Sequence, residues 1–141
     1  MKKDRYVFPS VLAYNEDGIS IEFPDLPGCL PCALTTEEAL ANAKDAMALH
    51  LWGMERDGDE IPEATPVDKI KLESNQIPVL VEVFMPAYRD AIESQSVKKT
   101  LTIPRWLNDL AEQRKINFSQ ILQSALKGYL GVSERPQGRK V

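Results

Sequence analysis

The chain has few cysteines, a single histidine and no long apolar run, and these shortages exclude several classes of protein. Two cysteines among 141 residues do not form the framework of a disulfide-stabilised secreted domain, so we expect a reducing, cytoplasmic location. No apolar run approaches the ~20 residues that a membrane-spanning helix needs. Met1-Lys2-Lys3 is followed by Asp4 and Arg5 rather than by an apolar segment, which predicts no secretion signal.

Charge is divided unevenly along the chain. Residues 1–95 carry 8 Lys and Arg against 18 Asp and Glu, whereas residues 96–141 carry 9 against 3. An acidic surface favours basic partners, and a basic segment is attracted to nucleic-acid phosphates. Chance is the alternative explanation of this division, but the net charge changes sign at the position where the sequence pattern also changes.

The first part of the chain is typical of a small β-sheet. Residues 6–14 are rich in aromatic and β-branched types, residues 15–18 are a turn signal, and apolar Ile19, Ile21 and Phe23 then alternate with polar residues. This pattern predicts a hairpin with one buried face. A rigid turn is expected at 24–29, because its prolines and glycine favour bends, and a short strand is expected at 30–34.

A helix and a last strand complete the predicted first unit. Thr35 and Glu38 form a capping-box pattern, apolar residues then recur at helical spacing, and Gly58 ends the helix. Residues 77–85 are nearly all apolar and predict a strand buried on both faces. The order β-β-β-α-β indicates an α+β fold, and residues 87–96 are interpreted as a connector with at most one helical turn.

Residues 97–131 predict a second and smaller unit. A brief strand at 97–103 precedes two amphipathic helices, a β-α-α order that is too small to close a core alone, since domains below ~40 residues usually need a partner, a metal or disulfides. Two copies can pair their strands into an antiparallel ribbon and interlock their helices. Pro104 is suited to a helix start, and Asn117 with Gln120 is suited to the start of the next helix.

Strand alternation separates a dimer face from a DNA face in this unit. The apolar residues predict the dimer contacts, which are Leu101, Ile103, Trp106, Leu110, Ile121 and Leu122. A two-stranded ribbon fits the major groove of DNA, and N–H groups at a helix start bind phosphate. The predicted DNA contacts are therefore Lys98, Thr100, Thr102, Asn117, Phe118 and Ser119. Lys99 falls on the inner face without an assigned role, and simple dimerisation is the alternative to DNA binding.

Two resemblances cover nearly the whole chain. Thr100-Leu101-Thr102-Ile103-Pro104 and Asn117-Phe118-Ser119-Gln120-Ile121-Leu122 resemble the ribbon-helix-helix family of bacterial repressors. At the front, Glu22-Phe23-Pro24-Asp25-Leu26-Pro27-Gly28-Cys29, the helix start Thr36-Glu37-Glu38-Ala39-Leu40-Ala41-Asn42-Ala43 and the loop pair Ile61-Pro62 resemble HicB antitoxins. The combination is more specific than either half.

The HicB resemblance implies a function and an organisation. It implies a reduced RNase H-like toxin-binding domain at 1–90, a linker at 91–96, a ribbon-helix-helix DNA-binding domain at 97–131 and a basic flexible tail at 132–141. The implied partners are a HicA-type toxin, which is a small basic mRNA-cleaving ribonuclease, and the operator DNA of the operon, which the chain represses as a dimer or tetramer. The residues implied to bind the toxin are Glu22, Asp25, Leu26 and Pro27.

We expect no enzyme activity, catalytic residue, metal or cofactor. An RNase H-type nuclease needs several carboxylates around two metal ions, and the predicted strands offer only Glu22, Asp25 and Glu82. A structural zinc needs four ligands, and Cys29 and Cys32 are the only two cysteines in the sequence. The alternatives are a repressor with a ligand-sensing N-terminal domain and, less favoured, an RNase H-like nuclease.

Overall fold

The computed structural model describes residues 2–135 and has the mixed α+β architecture that the sequence predicts. Its elements are β1 (Arg5–Asn15), β2 (Gly18–Glu22), β3 (Cys32–Ala33), α1 (Thr36–Asp57), a 3₁₀ turn (Val67–Lys69), β4 (Gln76–Phe84), α2 (Met85–Glu93), α3 (Arg105–Gln113) and α4 (Phe118–Leu130). The chain divides between Ser96 and Val97 into two compact units, called unit 1 and unit 2.

Unit 1 contains a four-stranded antiparallel sheet in the order β3-β2-β1-β4. β1 is a central strand, and its Leu12 pairs with Ile21 on one side and with Ile77 on the other. A two-residue turn joins β1 to β2, as the turn signal predicts. Gly18 ends this turn with a φ of 144°, and a Cβ at that position would lie 2.9 Å from the Ala33 carbonyl oxygen. The close approach of β3 therefore requires glycine.

The long helix α1 begins and ends at the residues that the sequence indicates. The Thr35 hydroxyl accepts a hydrogen bond from the Glu38 N–H at 3.2 Å, while the Glu38 carboxylate accepts one from the Leu34 N–H at 3.0 Å. Gly58 ends the helix in the left-handed conformation with a φ of 76°. One face of α1 packs on the sheet through small and flexible side chains, namely Ala39, Ala43, Met47, Ala48 and Leu51.

The β4 strand is not buried on both faces, contrary to the sequence prediction. Val81 and Val83 join the core, whereas the alternating Leu80 and Phe84 are about half exposed. β4 lies at the edge of the sheet, and its burial alternates from one residue to the next. Its apolar run therefore includes an uncovered row of side chains.

A helix replaces most of the expected connector after β4. α2 extends to Glu93, so the predicted linker at 91–96 begins inside it. The Arg89 guanidinium donates to the Glu55 carboxylate at 2.8 Å and to the Lys3 carbonyl oxygen at 2.7 Å. The Tyr88 hydroxyl also donates to Asp45 at 3.3 Å. These contacts are distant in sequence, which is why local patterns did not predict the helix.

Unit 2 contains two helices and no strand among its described residues. Residues 97–104 precede α3 and do not form a strand. A strand is defined by hydrogen bonds to a neighbouring strand, and these residues pair with no strand of the described chain. Pro104 caps α3 rather than occupying its first turn. Asn117 caps α4 as predicted, since its side chain accepts from the Gln120 N–H at 3.1 Å. The last part of the predicted tail, 136–141, lies outside the described residues.

Candidate functional site

None of the described residues of unit 2 is buried. The six side chains predicted to form a dimer are apolar, and five of them are exposed, with Leu122 intermediate. Trp106 is 68% exposed and Leu101 is 58% exposed. Large apolar side chains normally bury most of their surface, so an uncovered set of this size marks an interaction surface.

The residues predicted to contact DNA are all exposed in unit 2. Lys98, Thr100 and Thr102 lie in the segment before α3. Asn117, Phe118 and Ser119 lie at the start of α4, where Asn117 caps the Gln120 N–H. The N–H groups of Phe118 and Ser119 precede that bond, and helix geometry leaves such first-turn groups without an intrahelical acceptor. They are donors of the kind that bind phosphate.

The predicted toxin-binding turn of unit 1 contains two residues that face inward. Leu26, one of the implied toxin contacts, is fully buried in the core, so its side chain is not exposed to a partner. The Asp25 carboxylate accepts from the Thr65 N–H at 3.0 Å and from the Thr65 hydroxyl at 2.6 Å. Asp25 thus connects the turn to the loop after α1. Glu22 and Pro27 are exposed and remain available for contact.

A surface groove of about 580 Å³ lies at the other end of β2, where the hairpin turn meets β3 and the start of α1. We call it the hairpin groove, and its lining includes Asp17, Gly18, Cys32, Leu34, Glu38 and Asn42. The sequence reasoning did not select this region. The sequence signal that could have indicated this site is Leu34, an apolar residue among polar ones between the short strand and the helix cap. Leu34 indicates a binding surface only in the structure, where Asp17 lines the same groove.

Cysteine, histidine and carboxylate side chains do not assemble into a metal site in the part of the chain that the structure describes. Among residues 2–135, no group of three or more such side chains could hold a metal ion. Cys29 is buried, and this burial raises the pKa of its thiol to about 11, whereas Cys32 is exposed. His50, the single histidine, is half-buried on α1. Glu82 pairs with Arg5 at 3.1 Å.

Comparison with known proteins identifies the family. The model of the HicB-like antitoxins of bacterial toxin-antitoxin systems matches residues 8–125 of the chain. The chain belongs to this family. The match covers most of unit 1 and the larger part of unit 2.

Two solved structures share the fold of this HicB-like chain. One belongs to a toxin-antitoxin complex from Streptococcus pneumoniae, with 21% identity, a TM-score of 0.60, and coverage of 89% of this chain and 99% of that chain. Another is the antitoxin HicB of Burkholderia pseudomallei, with 18% identity, a TM-score of 0.52, and coverage of 86% and 96%. At these identities the likeness concerns the fold.

A phage protein is similar to part of the chain. It is an uncharacterized 14.9 kDa protein from the rep-hol intergenic region of Haemophilus phage HP1, 35% identical over 63 residues. This match covers 45% of the present chain, which spans about half (47%) of the length of that relative. Separately, no helix formed by the described residues is long and apolar enough to cross a bilayer.

Proposed function

We propose that this HicB-like chain neutralises a HicA-type mRNA-cleaving toxin through unit 1 and represses its own operon through unit 2, which binds operator DNA as a dimer. The observation that carries the proposal is the contrast in charge and burial between the units. Unit 1 is acidic and has a closed core, whereas unit 2 is basic and has no core among its residues up to 135. Unit 1 therefore suits a basic protein partner, and unit 2 suits another copy of the chain together with a polyanion.

Unit 1 is the toxin-binding part in this proposal, with a reduced RNase H-like fold. A ribonuclease carries basic residues that bind RNA phosphates, so an acidic inhibitor is attracted to the same surface. Electrostatic attraction of this kind raises association rates and suppresses wrong partners. Glu22 and Pro27, both exposed, are the members of the predicted turn that can take part in this contact.

Unit 2 is proposed to fold as a ribbon-helix-helix dimer. Pairing of residues 97–103 with the same segment of a second copy supplies the strand hydrogen bonds that one chain lacks. The same step covers the apolar dimer residues defined above. Burial of a leucine, isoleucine or similar side chain is worth about 1.5–3 kcal/mol, so a few such residues from each copy offset the cost of association.

The outward face of the paired ribbon is proposed to read the operator. Strand alternation directs Lys98, Thr100 and Thr102 away from the apolar face carrying Leu101 and Ile103. A ribbon with short polar side chains enters the major groove, where base edges are distinguishable. The start of α4 would then bind a backbone phosphate through the free N–H groups of Phe118 and Ser119, which positions the ribbon.

Co-expression tests the toxin part of the proposal. The chain is produced with a HicA-type toxin, sought as a small basic reading frame beside its gene, and growth and co-purification are measured. We expect the toxin alone to arrest growth, the pair to restore growth, and the two proteins to purify together. The association rate should fall steeply with added salt, because exposed charges are screened.

Controls for this experiment separate inhibition from poor expression. A toxin variant without ribonuclease activity should not arrest growth but should still co-purify with the chain. Growth arrest that persists with full expression of both proteins, together with failure to co-purify, would refute the antitoxin function. An association rate that does not depend on salt would refute the electrostatic part only.

A further inference from the structure

We propose that the hairpin groove, rather than the turn at 24–29, is the surface of unit 1 that docks the basic toxin. The inference rests on the proposed toxin-binding function and names the surface that performs it. Three observations support it: the charges that line the groove, the uncovered apolar residues beside it, and the hydrogen bonds that preorganise its walls.

The charges around the groove have one sign. Asp17 and Glu38 line it, Glu16 and Glu37 neighbour them in sequence, and no lysine or arginine of the described chain lines it. Glu38 also caps α1, so its position has a structural explanation. The position of Asp17 has no such structural explanation, because Asp17 lies in the hairpin turn and forms no ion pair within the described residues. The groove therefore offers carboxylates to a cationic partner.

An uncovered apolar side chain lies beside these carboxylates. Leu34 is 76% exposed at the wall of the groove. Tyr14 and Leu34 also border an adjoining depression. Protein interfaces combine an apolar centre with a polar rim, and a patch of this composition on an acidic unit matches a partner that is basic and partly apolar.

Hydrogen bonds hold the groove walls in place before a partner arrives. The Asn42 side-chain amide donates to the Cys32 carbonyl oxygen at 2.9 Å, which joins β3 to α1. The Asn75 amide donates to the Tyr14 carbonyl oxygen at 3.2 Å, which joins the hairpin end to the start of β4. A preorganised surface loses little conformational entropy on binding, so more of the contact energy appears as affinity.

The turn at 24–29 lacks these properties. Leu26 is buried, and both carboxylate oxygens of Asp25 accept hydrogen bonds from Thr65. The turn therefore presents fewer free groups to a partner. Its sequence is explained by its structural role, since it connects the core to the loop after α1.

Affinity measurements test the assignment with matched pairs of variants. The full chain is titrated against the HicA-type toxin of the co-expression experiment, in a form without ribonuclease activity. Leu34→Asp should weaken binding by about 30-fold or more, as expected at a central interface position, and Asp17→Lys by about 10-fold. The matched controls are Leu80→Asp, at a leucine of β4 that is 56% exposed, and Glu60→Lys, at an exposed carboxylate beyond the end of α1. Glu22→Lys tests the alternative surface at the turn.

The controls should remain within about threefold of the unchanged chain, a difference typical of positions outside the interface. Loss of binding in Glu22→Lys with normal binding in Leu34→Asp would overturn the proposal and return the interface to the turn. If the unchanged chain does not bind the toxin, the antitoxin function itself fails. If it binds but no groove variant affects binding, only the groove assignment fails.

The two cysteines provide a second readout that needs no substitution. Cys32 is exposed and lines the groove, whereas Cys29 is buried and the pKa of its thiol is raised to about 11. Alkylation at mildly alkaline pH should therefore label Cys32 first, because the thiolate is the reactive form. Saturating toxin should slow Cys32 labelling by about 10-fold or more, in proportion to the bound fraction.

Two outcomes of the labelling would overturn the proposal. An unchanged Cys32 rate in the saturated complex would exclude the groove from the interface. Protection of Cys32 that rises with the concentration of the chain alone, without toxin, would assign the groove to a second copy of the chain instead.

Discussion

Unit 1 and unit 2 differ in how they meet the same requirement, which is to remove apolar side chains from water. Unit 1 does so within one chain, because α1 covers a sheet face bearing Phe8, Leu12 and Ile21, each at most 2% exposed. Unit 2 has apolar residues at helical spacing but leaves Trp106 and Ile121 more than half exposed. The comparison teaches that unit 1 forms a core from one chain, whereas the described residues of unit 2 form none. Under the proposed dimer, only the folding of unit 2 should depend on protein concentration.

The largest expected effect is on the incomplete unit. Ile121→Asp should dissociate the proposed dimer, because each copy would bury an unpaired carboxylate in the shared core. Light scattering or sedimentation should show monomer at concentrations where the unchanged chain is dimeric. Gln123→Asp, which adds the same charge on the other side of α4, should leave the dimer intact. A dimer that survives Ile121→Asp would show that unit 2 associates through another surface.

A core truncation in unit 1 should have the next largest effect and should sharpen the contrast. Phe23 is 1% exposed, so Phe23→Ala should lower the free energy of unfolding of unit 1 by about 3–5 kcal/mol. Urea unfolding can be followed by Trp52 fluorescence in a Trp106→Phe background, which removes the signal of unit 2. Leu49→Ala, at an exposed position of α1, should change this free energy by less than about 0.5 kcal/mol.

The unfolding of unit 1 should also be independent of protein concentration, because its core is formed by one chain. A midpoint that rises with concentration would show that unit 1 also depends on a second copy. That result would break the comparison between a complete and an incomplete unit.

The smallest expected effect concerns DNA contacts. Lys98→Ala and Thr100→Ala should each weaken operator binding by about 1–3 kcal/mol, the value of a specific base contact, without dissociating the dimer. A gel-shift titration at fixed salt measures this difference. Lys127→Ala removes the same charge from the last turn of α4 and should have less effect. Unchanged affinity in both ribbon variants would refute the assignment of the outward face.

Local signals in the sequence predicted much of unit 1. The turn at 15–18, the Thr35 cap and the Gly58 helix end all depend on residues close in sequence, and the structure confirms each of them. The predictions that were wrong depend on distant partners. β4 was expected to be buried on both faces because its own composition is apolar, but its position at the sheet edge decides its burial.

The candidate sites divide in the same way. In unit 2, the predicted residues are local in sequence, and all of the predicted DNA contacts are exposed. In unit 1, the family motif predicted toxin contacts around the turn at 24–29, where Leu26 is buried and Asp25 contacts Thr65. The hairpin groove brings Asp17, Cys32 and Glu38 together from three elements, an arrangement that no local pattern contains.

The sequence by itself determined the helix caps, the hairpin, the opposite charges of the two halves and the family, because each is a property of residue order or composition. Only the tertiary structure decided which apolar residues are covered, that α2 forms beside α1, and where unit 1 presents acidic and apolar groups together. Those features depend on contacts such as Arg89 with Glu55, which are 34 residues apart. Burial is a property of the neighbours that a residue acquires on folding, and residue order does not specify those neighbours locally.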